Sequence, residues 1–389
     1  MHLVFVSSLV PVADPRSGYD IANRVIVDAL RLAGHRVSVL GFLLPGAEPH
    51  RPDETRLLGR LEVTNARVGA VRKLGWLGRA VRNGEPVSVA KMHEASRREV
   101  EAALGGFGAV DGLVLNSVQL PGAFHDLFAR HPHVFVAHNV EARSAADNAK
   151  NAGSLVTRLL FAREARVLER LERRLCGAAS HVFTLAEADQ AELGLSPARA
   201  STLPLVTAIE APPAPSPRSP VYDIGMIGSW TWAANRAGLD WFLAEVAPRL
   251  PKDFTIAIAG GIGDQPTNLP ANVRLLGRVP DARDFVRSVR VVPLISRTGT
   301  GVQLKTIETF EMGLPAVATQ NALRGVAGIP DNCLAAEDPA DFAAALADLV
   351  ARARAGENLD RDGRTFHARQ LEGLLSGIEA GLSTLKKHG

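Results

Sequence analysis

Apolar and polar positions along this chain follow two patterns: short continuous apolar runs, and longer stretches with apolar residues at helical spacing. The run HLVFVSSLV from His2 reads as a buried strand, IANRVIVDALRLAG ending at Gly34 as an amphipathic helix, and HRVSVLGF from His35 as the next strand. Strand, helix, strand implies a parallel sheet with helices on both faces. DGLVLNS, HVFVA and HVFTL continue the strands, and residues 153–176 form a long amphipathic helix before the last of them. TAIEAPPAPSPRSP, residues 207–220, is proline-rich and without period, as in an interdomain linker. The same pattern then restarts. YDIGMIG, FTIAIAGG and VRLLGRVPD read as strands, AGLDWFLAEVAPRL and DARDFVRSV as helices. VVPLI, the loop RTGTG, the helix QLKTIETFEM stopped by Gly313 and the short strand PAVAT follow. A helix over AEDPADFAAALADLVARARAG and a last one to Lys387 complete the chain.

The expected fold class is therefore α/β, with an N-terminal domain over 1–206, a linker over 207–220, a second domain over 221–370 and a terminal helix over 371–389. Composition agrees with two soluble globular domains: 389 residues, 46% hydrophobic and 22% charged. A net charge of +3 excludes a nucleic-acid polycation. Cys176 and Cys333 are too far apart in sequence to suggest a disulfide framework or metal cluster. No run approaches bilayer-spanning length and MHLVFVSSLV lacks a charged leader region, so a cytoplasmic location is expected. One segment departs from the average. Arg67, Arg72, Lys73, Arg79 and Arg82 are interleaved with Val71, Leu74, Trp76, Leu77 and Val81, as in a basic stretch that lies on an anionic membrane surface. An ordinary solvated helix fits equally, and Gly75 and Gly78 weaken a continuous one.

The stretch with most chemical content runs from Pro293 to Gly325. A glycine loop entering a helix N-terminus is a ready anion site, because first-turn N–H groups are unpaired and the macrodipole is positive there. Lys305 adds a full charge against a diphosphate, and Glu308, three residues on, presents a carboxylate to sugar or ribose hydroxyls. Loop glycines that serve turn geometry alone are the alternative. Gly228 and Ser229, after a strand, offer backbone N–H groups to a phosphate. In the first half, Arg16, Ser17 and Gly18 leave the first strand at its carboxyl end, where sheets of this kind bind ligands. His138 follows VFVA at another such end, with Asn139 and Glu141 as weaker candidates, and Thr184, Ala186 and Glu187 face the same predicted cleft.

Glu308-Thr309-Phe310-Glu311-Met312-Gly313-Leu314-Pro315-Ala316-Val317-Ala318-Thr319 resembles the second half of the donor-site signature of retaining, GT-B-fold glycosyltransferases of family 4. Thr300 stands where the signature has its first Glu, which usually meets the transferred sugar. Gly301, Gln303, Lys305 and Glu308 are similar to a subgroup associated with exopolysaccharide synthesis, in which the lysine contacts donor phosphates. The resemblance implies two Rossmann-like domains facing each other across a cleft, with the last helix crossing back to the first domain. It implies a donor site of Thr298, Gly299, Thr300, Gly301, Val302, Lys305 and Glu308, with Gly18, Gly228 and Ser229 near the phosphates. HNVE, from His138, is similar to a motif at the donor–acceptor junction, so His138, Lys305 and Glu308 are the catalytic candidates. Arg278 begins the segment where similar enzymes wall the nucleobase, although Asp281 serves equally as a helix N-cap.

The expected activity is transfer of a sugar from a nucleoside diphosphate, UDP first and GDP second, to a saccharide or lipid-linked acceptor in polysaccharide or glycolipid synthesis. A GT-B nucleotide-sugar 2-epimerase and a non-catalytic nucleotide-sugar-binding protein are the rivals. No cofactor is expected, and the chain carries no Asp-x-Asp pair where a metal is needed, so metal independence is expected. An anionic membrane surface at the inner face of the plasma membrane is a further expected partner, and nucleic acid is not.

Overall fold

The computed structural model describes residues 1–15, 17–62, 68–263 and 269–385. Arg16, Arg67 and Lys387 of the sequence reading lie outside the described residues. The chain divides into two compact units: Met1–Ile209 with Glu372–Gly389, and Glu210–Leu371. The first holds a seven-stranded sheet of β1 (His2–Leu9), β2 (Arg36–Leu43), β3 (Thr55–Arg60), β4 (Gly112–Asn116), β5 (His133–Ala137), β6 (His181–Thr184) and β7 (Ala200–Thr202). Its order is β3-β2-β1-β4-β5-β6-β7, and every pair is parallel. The second holds β8 (Tyr222–Ile227), β9 (Ile256–Ala259), β10 (Val273–Gly277), β11 (Val289–Leu294), β12 (Ala316–Ala318) and β13 (Cys333–Ala335). Its order is β10-β9-β8-β11-β12-β13, again with every pair parallel.

The apolar runs are the central strands. β4, β5 and β6 are buried at every residue, as burial on both faces of a parallel sheet requires. β3 escapes a reading by apolar runs because TRLLGR is a largely exposed edge carrying two arginines. Several helices depart from expectation for local reasons. The first begins at Gly18 rather than Ile21, because Ser17 and Asp20 form a reciprocal capping box ahead of it. The helix expected over 237–250 begins at Ala233, then widens into a π turn over Phe242–Val246 and tightens over Ala247–Arg249, where Pro248 has no N–H to continue the ladder. Ala70–Asn83 is one helix despite Gly75 and Gly78, anchored by the buried side chains of Trp76 and Ala80 and ended by Gly84 in the left-handed region. Glu141–Lys150, too polar to show as an element, is also a helix. Both cysteines are buried and free, one in each unit. Among the described residues no helix is long and apolar enough to cross a membrane.

In the second unit a hub fixes β8. Asp223, at its start, accepts from Arg354 at 2.8 and 2.9 Å and from the Thr255 backbone and hydroxyl at 2.8 and 2.9 Å, and it pairs with Arg290 at 3.3 Å. These partners hold the Asp223 carboxyl below its ordinary range despite the burial that opposes them. The helix Leu304–Glu311 is clamped at its far end. Gly313 takes φ +68°, and a Cβ there would lie 1.9 Å from the Arg361 carbonyl oxygen. Gly313→Ala is expected to destabilise the protein by about 2–3 kcal/mol through left-handed strain and this clash. Urea denaturation reads the effect, and an unchanged midpoint contradicts the clamp.

Candidate active site

Strand order in the second unit reverses between β8 and β11, so the loops leaving these strands diverge and open a crevice at their carboxyl ends. A pocket there is walled by Trp230, Asn235, Ser296, Gln303, Lys305 and Glu308. The helix Leu304–Glu311 enters it behind Gln303, whose side chain makes no cap on the first turn.

Lys305 dominates the electrostatics. Its Nζ lies 4.9 Å from the centroid of the Trp230 ring, and a Cβ at Gly228 would come within 2.8 Å of that nitrogen. Gly228 is therefore the residue that makes room for the ammonium. Burial pulls the Lys305 pKa down to about 8, with Glu308 opposing, and among the described residues no carboxylate is within ion-pair distance. The aromatic face supplies the attraction that a carboxylate otherwise would. Trp230 is fixed by its Nε1–H, which donates to the Ala259 carbonyl at 2.7 Å. Gly260, at φ +103°, admits the Gly228 carbonyl so closely that a Cβ there would lie 1.9 Å from that oxygen. Glu308 is half-buried on the same helix, and burial pushes its carboxyl up, with Arg283 opposing.

The loop ahead of the helix is braced from the exit of β12. Thr319 Oγ1 donates to the Ser296 carbonyl, and Asn321 Nδ2 donates to Ser296 Oγ at 2.9 Å and to the Thr298 carbonyl at 3.0 Å. Gly299 and Gly301 turn it through φ +104° and +74°. Thr298, Gly299, Thr300, Gly301 and Val302 thus form one braced arc that runs into Gln303 and Lys305. Ser229 is exposed, and its carbonyl accepts from Asn235 at 3.1 Å. Arg278 is exposed on the turn after β10 and does not wall this pocket. Asp281 caps the next helix by accepting from the Asp284 N–H at 2.9 Å, the local use already open to it. Arg236, near the same loop, pairs with Asp240 at 2.7 Å.

In the first unit the order reverses between β1 and β4, with Ser7 opposite Asn116. A chain of amides begins at the Leu9 carbonyl, which accepts from Asn23 Nδ2 at 3.1 Å. Asn23 Oδ1 then accepts from Asn116 Nδ2 at 2.9 Å, and Asn116 Oδ1 meets His138 Nε2 at 2.7 Å. The backbone carbonyl sets the direction, so each amide shows its oxygen to the next donor and His138 carries its proton on Nε2. Burial pulls the His138 pKa down to about 4, which keeps it neutral at physiological pH. The Tyr19 ring lies 5.1 Å from it, and the Tyr19 hydroxyl bonds Ser8 Oγ at 2.9 Å. Ser117, next to Asn116, is buried at φ 63°, a conformation that costs a non-glycine residue about 1–3 kcal/mol and concentrates at functional sites. Gly18 opens its helix instead of lying in a loop, and the Asp20 carboxylate accepts from the Ser17 N–H at 3.0 Å in that first turn. A carboxylate there disfavours a phosphate. At the exit of β6, Thr184 and Ala186 are buried and Glu187 is exposed.

Glu172 was legible only as one charge on a long amphipathic helix. It is buried, and it accepts from the Glu141 N–H at 2.6 Å and the Ala142 N–H at 3.2 Å, capping from outside the helix that follows His138 and Asn139. Glu141 itself is pushed up by burial, with Asn139 opposing. Trp230, Asn116 and Asn23 join the site only through the fold, and the signal the sequence offers is that Trp230 and Asn116 stand at strand exits. Among the described residues no group of three or more His, Cys, Asp or Glu side chains is placed to hold a metal ion.

Residues 222–352, which carry the pocket, match the family of glycosyl transferases group 1. Among solved structures, the chain is similar to sucrose-phosphate synthase from Thermosynechococcus elongatus, with a TM-score of 0.62 and 15% identity over 100% of this chain and 98% of that one. It is similar to Anabaena HepE in complex with UDP and glucose, with a TM-score of 0.60 and 14% identity over 98% and 99% of the two chains. A mutant of S. aureus TarM in complex with fondaparinux, α-GlcNAc-glycerol and UDP gives a TM-score of 0.59 and 12% identity over 99% and 100%. No curated protein matches at the level of sequence. At these identities the likeness shows the fold: the chain has the two-domain, Rossmann-like GT-B fold.

Burial lifts the Glu172 pKa to about 7, outweighing the two N–H bonds that favour the carboxylate. A carboxyl raised in the folded state stabilises most below its unfolded pKa and loses that contribution as pH rises through about 7. Relative to Glu172→Gln, the wild type is expected to lose on the order of 3 kcal/mol between pH 4.5 and 8. Denaturation of both proteins across that range reads the difference, and parallel curves contradict it.

Proposed function

We propose that the protein is a retaining glycosyltransferase of the family 4 type, moving a sugar from a nucleoside diphosphate sugar to a hydroxyl of a saccharide or lipid-linked saccharide. UDP-sugar is the first candidate donor and GDP-sugar the second. The observation that carries this reading is Lys305: an ammonium brought into a pocket at a sheet switch point, stacked on Trp230, with no carboxylate at ion-pair distance among the described residues. A cation desolvated in this way gains from an arriving diphosphate more than a solvated one does. Support for a sugar donor comes from the match of residues 222–352 to glycosyl transferases group 1 and from the UDP, glucose and saccharides named in similar structures.

In this reading 221–370 is the donor domain, 1–206 the acceptor side, and 371–389 the helix returning to it. Gly299, Gly301 and the uncapped first turn after Gln303 meet the phosphates. Lys305 offsets the charge that develops on the departing diphosphate, and turnover needs no metal. Glu308 orients ribose or sugar hydroxyls. His138, neutral and fixed as its Nε2–H tautomer, orients a hydroxyl at the reacting face without adding charge. Thr300 shifts recognition of the transferred sugar away from a carboxylate at that position. The pattern Gly301, Gln303, Lys305 and Glu308 supports synthesis of an exported polysaccharide or glycolipid, with the protein cytoplasmic and peripheral at the inner face of the membrane.

Calorimetry with UDP, GDP, ADP and dTDP, with and without EDTA, tests the donor site. One nucleotide is expected to bind irrespective of EDTA, and Lys305→Ala to weaken it about 10- to 100-fold. Because the free lysine titrates near 8 and the bound one higher, affinity is expected to fall as pH rises beyond about 8. Binding by none of the four, or turnover abolished by EDTA and restored by magnesium, contradicts the reading. Product analysis with the matching sugar nucleotide separates transfer from release of a free 2-epimer.

A further inference from the structure

A second cavity of the second unit lies at the other end of its sheet. Its walls come from residues just ahead of two parallel strands, Gly313 before β12 and 328–332 before β13, and from the first turns of the helix Gly363–Leu382. It therefore opens at the amino ends of β12 and β13, whereas the pocket of Lys305 opens at the carboxyl ends of β8 and β11. The helix Leu304–Glu311 joins the two, with Lys305 in its first turn and Phe310 in its last. The cavity measures about 310 Å³, the size at which small-molecule sites begin. Its walls are tied together. The Ala327 N–H donates to Gln370 Oε1 at 2.7 Å, the Arg361 N–H to the Gly313 carbonyl at 2.9 Å, and Asn332 Nδ2 to the same carbonyl at 3.0 Å. Part of the lining is apolar: the rings of Phe310 and Phe366 meet edge to face at 5.3 Å, and Ile329 is exposed at 49%.

The charged part of the lining is unbalanced. Arg361 Nε donates to Asp331 at 2.7 Å, and Arg364 Nε donates to Asp362 at 2.9 Å, so both carboxylates are engaged. Arg369 has no hydrogen bond or ion pair among the described residues. A Cβ at Gly328, where φ is +102°, would lie 2.5 Å from a guanidinium nitrogen of Arg369. The glycine thus admits the guanidinium to the cavity wall. An arginine that only solvated its helix would need no such space. We infer that this cavity binds a small organic oxyanion with a part-apolar body, its charged end on Arg369 and its body against Ile329 and the phenylalanine edges. A guanidinium offers parallel N–H donors to a carboxylate or a phosphate, and one without a carboxylate partner gives up no ion pair to bind it. The start of the helix Gly363–Leu382 is already served by Asp362, which accepts from the Arg364 N–H at 3.0 Å. Recognition therefore rests on the guanidinium and not on the helix end. The cavity is separate from the pocket of Lys305, and the inference stands or falls independently of the donor reading.

Calorimetric titration of the full chain with phenyl phosphate, benzoate, inorganic phosphate and benzyl alcohol tests the inference. Phenyl phosphate or benzoate is expected to bind, inorganic phosphate more weakly and benzyl alcohol not at all. The tighter of the first two assigns the natural group as a phosphomonoester or a carboxylate. Arg369→Ala and, separately, Ile329→Glu are each expected to weaken that binding about 10-fold, and Lys305→Ala to leave it unchanged. Arg369 and Ile329 are both exposed, and thermal melts that match the wild type exclude misfolding as the cause. Binding that survives both variants overturns the inference. So does binding that Lys305→Ala abolishes, which places the anion in the other pocket. Benzyl alcohol bound as tightly as the anions overturns the oxyanion, and inorganic phosphate bound as tightly overturns the apolar body. No binding by any probe overturns the whole inference.

Discussion

An ammonium held against an aromatic ring inside a protein is the constraint around which the second unit is arranged. Lys305 loses water on entering the pocket, and the ring of Trp230 recovers part of that loss. Everything near it serves the arrangement. Gly228 has no side chain because the lysine occupies that space, and Gly260 takes a left-handed conformation so that the Gly228 backbone can approach. Trp230 is held by one hydrogen bond to the strand behind it. At the far end of the lysine's helix, Gly313 and Gly363 admit close backbone crossings, each of which a Cβ would block at 1.9 Å. A poised cation needs a rigid frame, and the frame is built from backbone rather than from charges.

The first unit solves a different problem with a different device. Among the described residues, its switch point is built on a relay of amides that reaches a histidine. A neutral imidazole has two tautomers of similar energy, and a protein that needs one of them must fix it from outside. Asn23 and Asn116 do so by passing on the polarity of a backbone carbonyl. Glu172 steadies the same region from the next layer, closing the start of the helix that follows His138 and Asn139. That carboxyl sits between two demands, since its hydrogen bonds favour the charged form and its burial the neutral one.

What the sequence disclosed depended on the range of the interaction involved. Apolar runs announced the central strands because burial on both faces is written locally in each run. The edge strand Thr55–Arg60 has no such run, being defined by pairing with β2 alone. The helix Ala70–Asn83 contradicts its two glycines because Trp76 and Ala80 are anchored by residues distant in sequence. In the candidate site, the glycine loop, Lys305 and Glu308 were legible as a contiguous motif. Their meeting with Trp230 and Gly228 was not, since it requires β8 and β11 to be neighbours. His138 was legible by its place after an apolar run, but its tautomer rests on two asparagines from other elements. Gly18 opens a helix rather than lying in a loop because Ser17 and Asp20 cap it, a box whose residues stand together in the sequence.

The most direct test of the central claim is the titration of the Lys305 ammonium by NMR, with and without a saturating nucleoside diphosphate. The account predicts a pKa near 8 in the free protein, set by burial, and a clear rise when the diphosphate arrives beside it. A value that stays the same in the presence of bound nucleotide would show that the diphosphate lies elsewhere, and that the cation over Trp230 is a feature of the core.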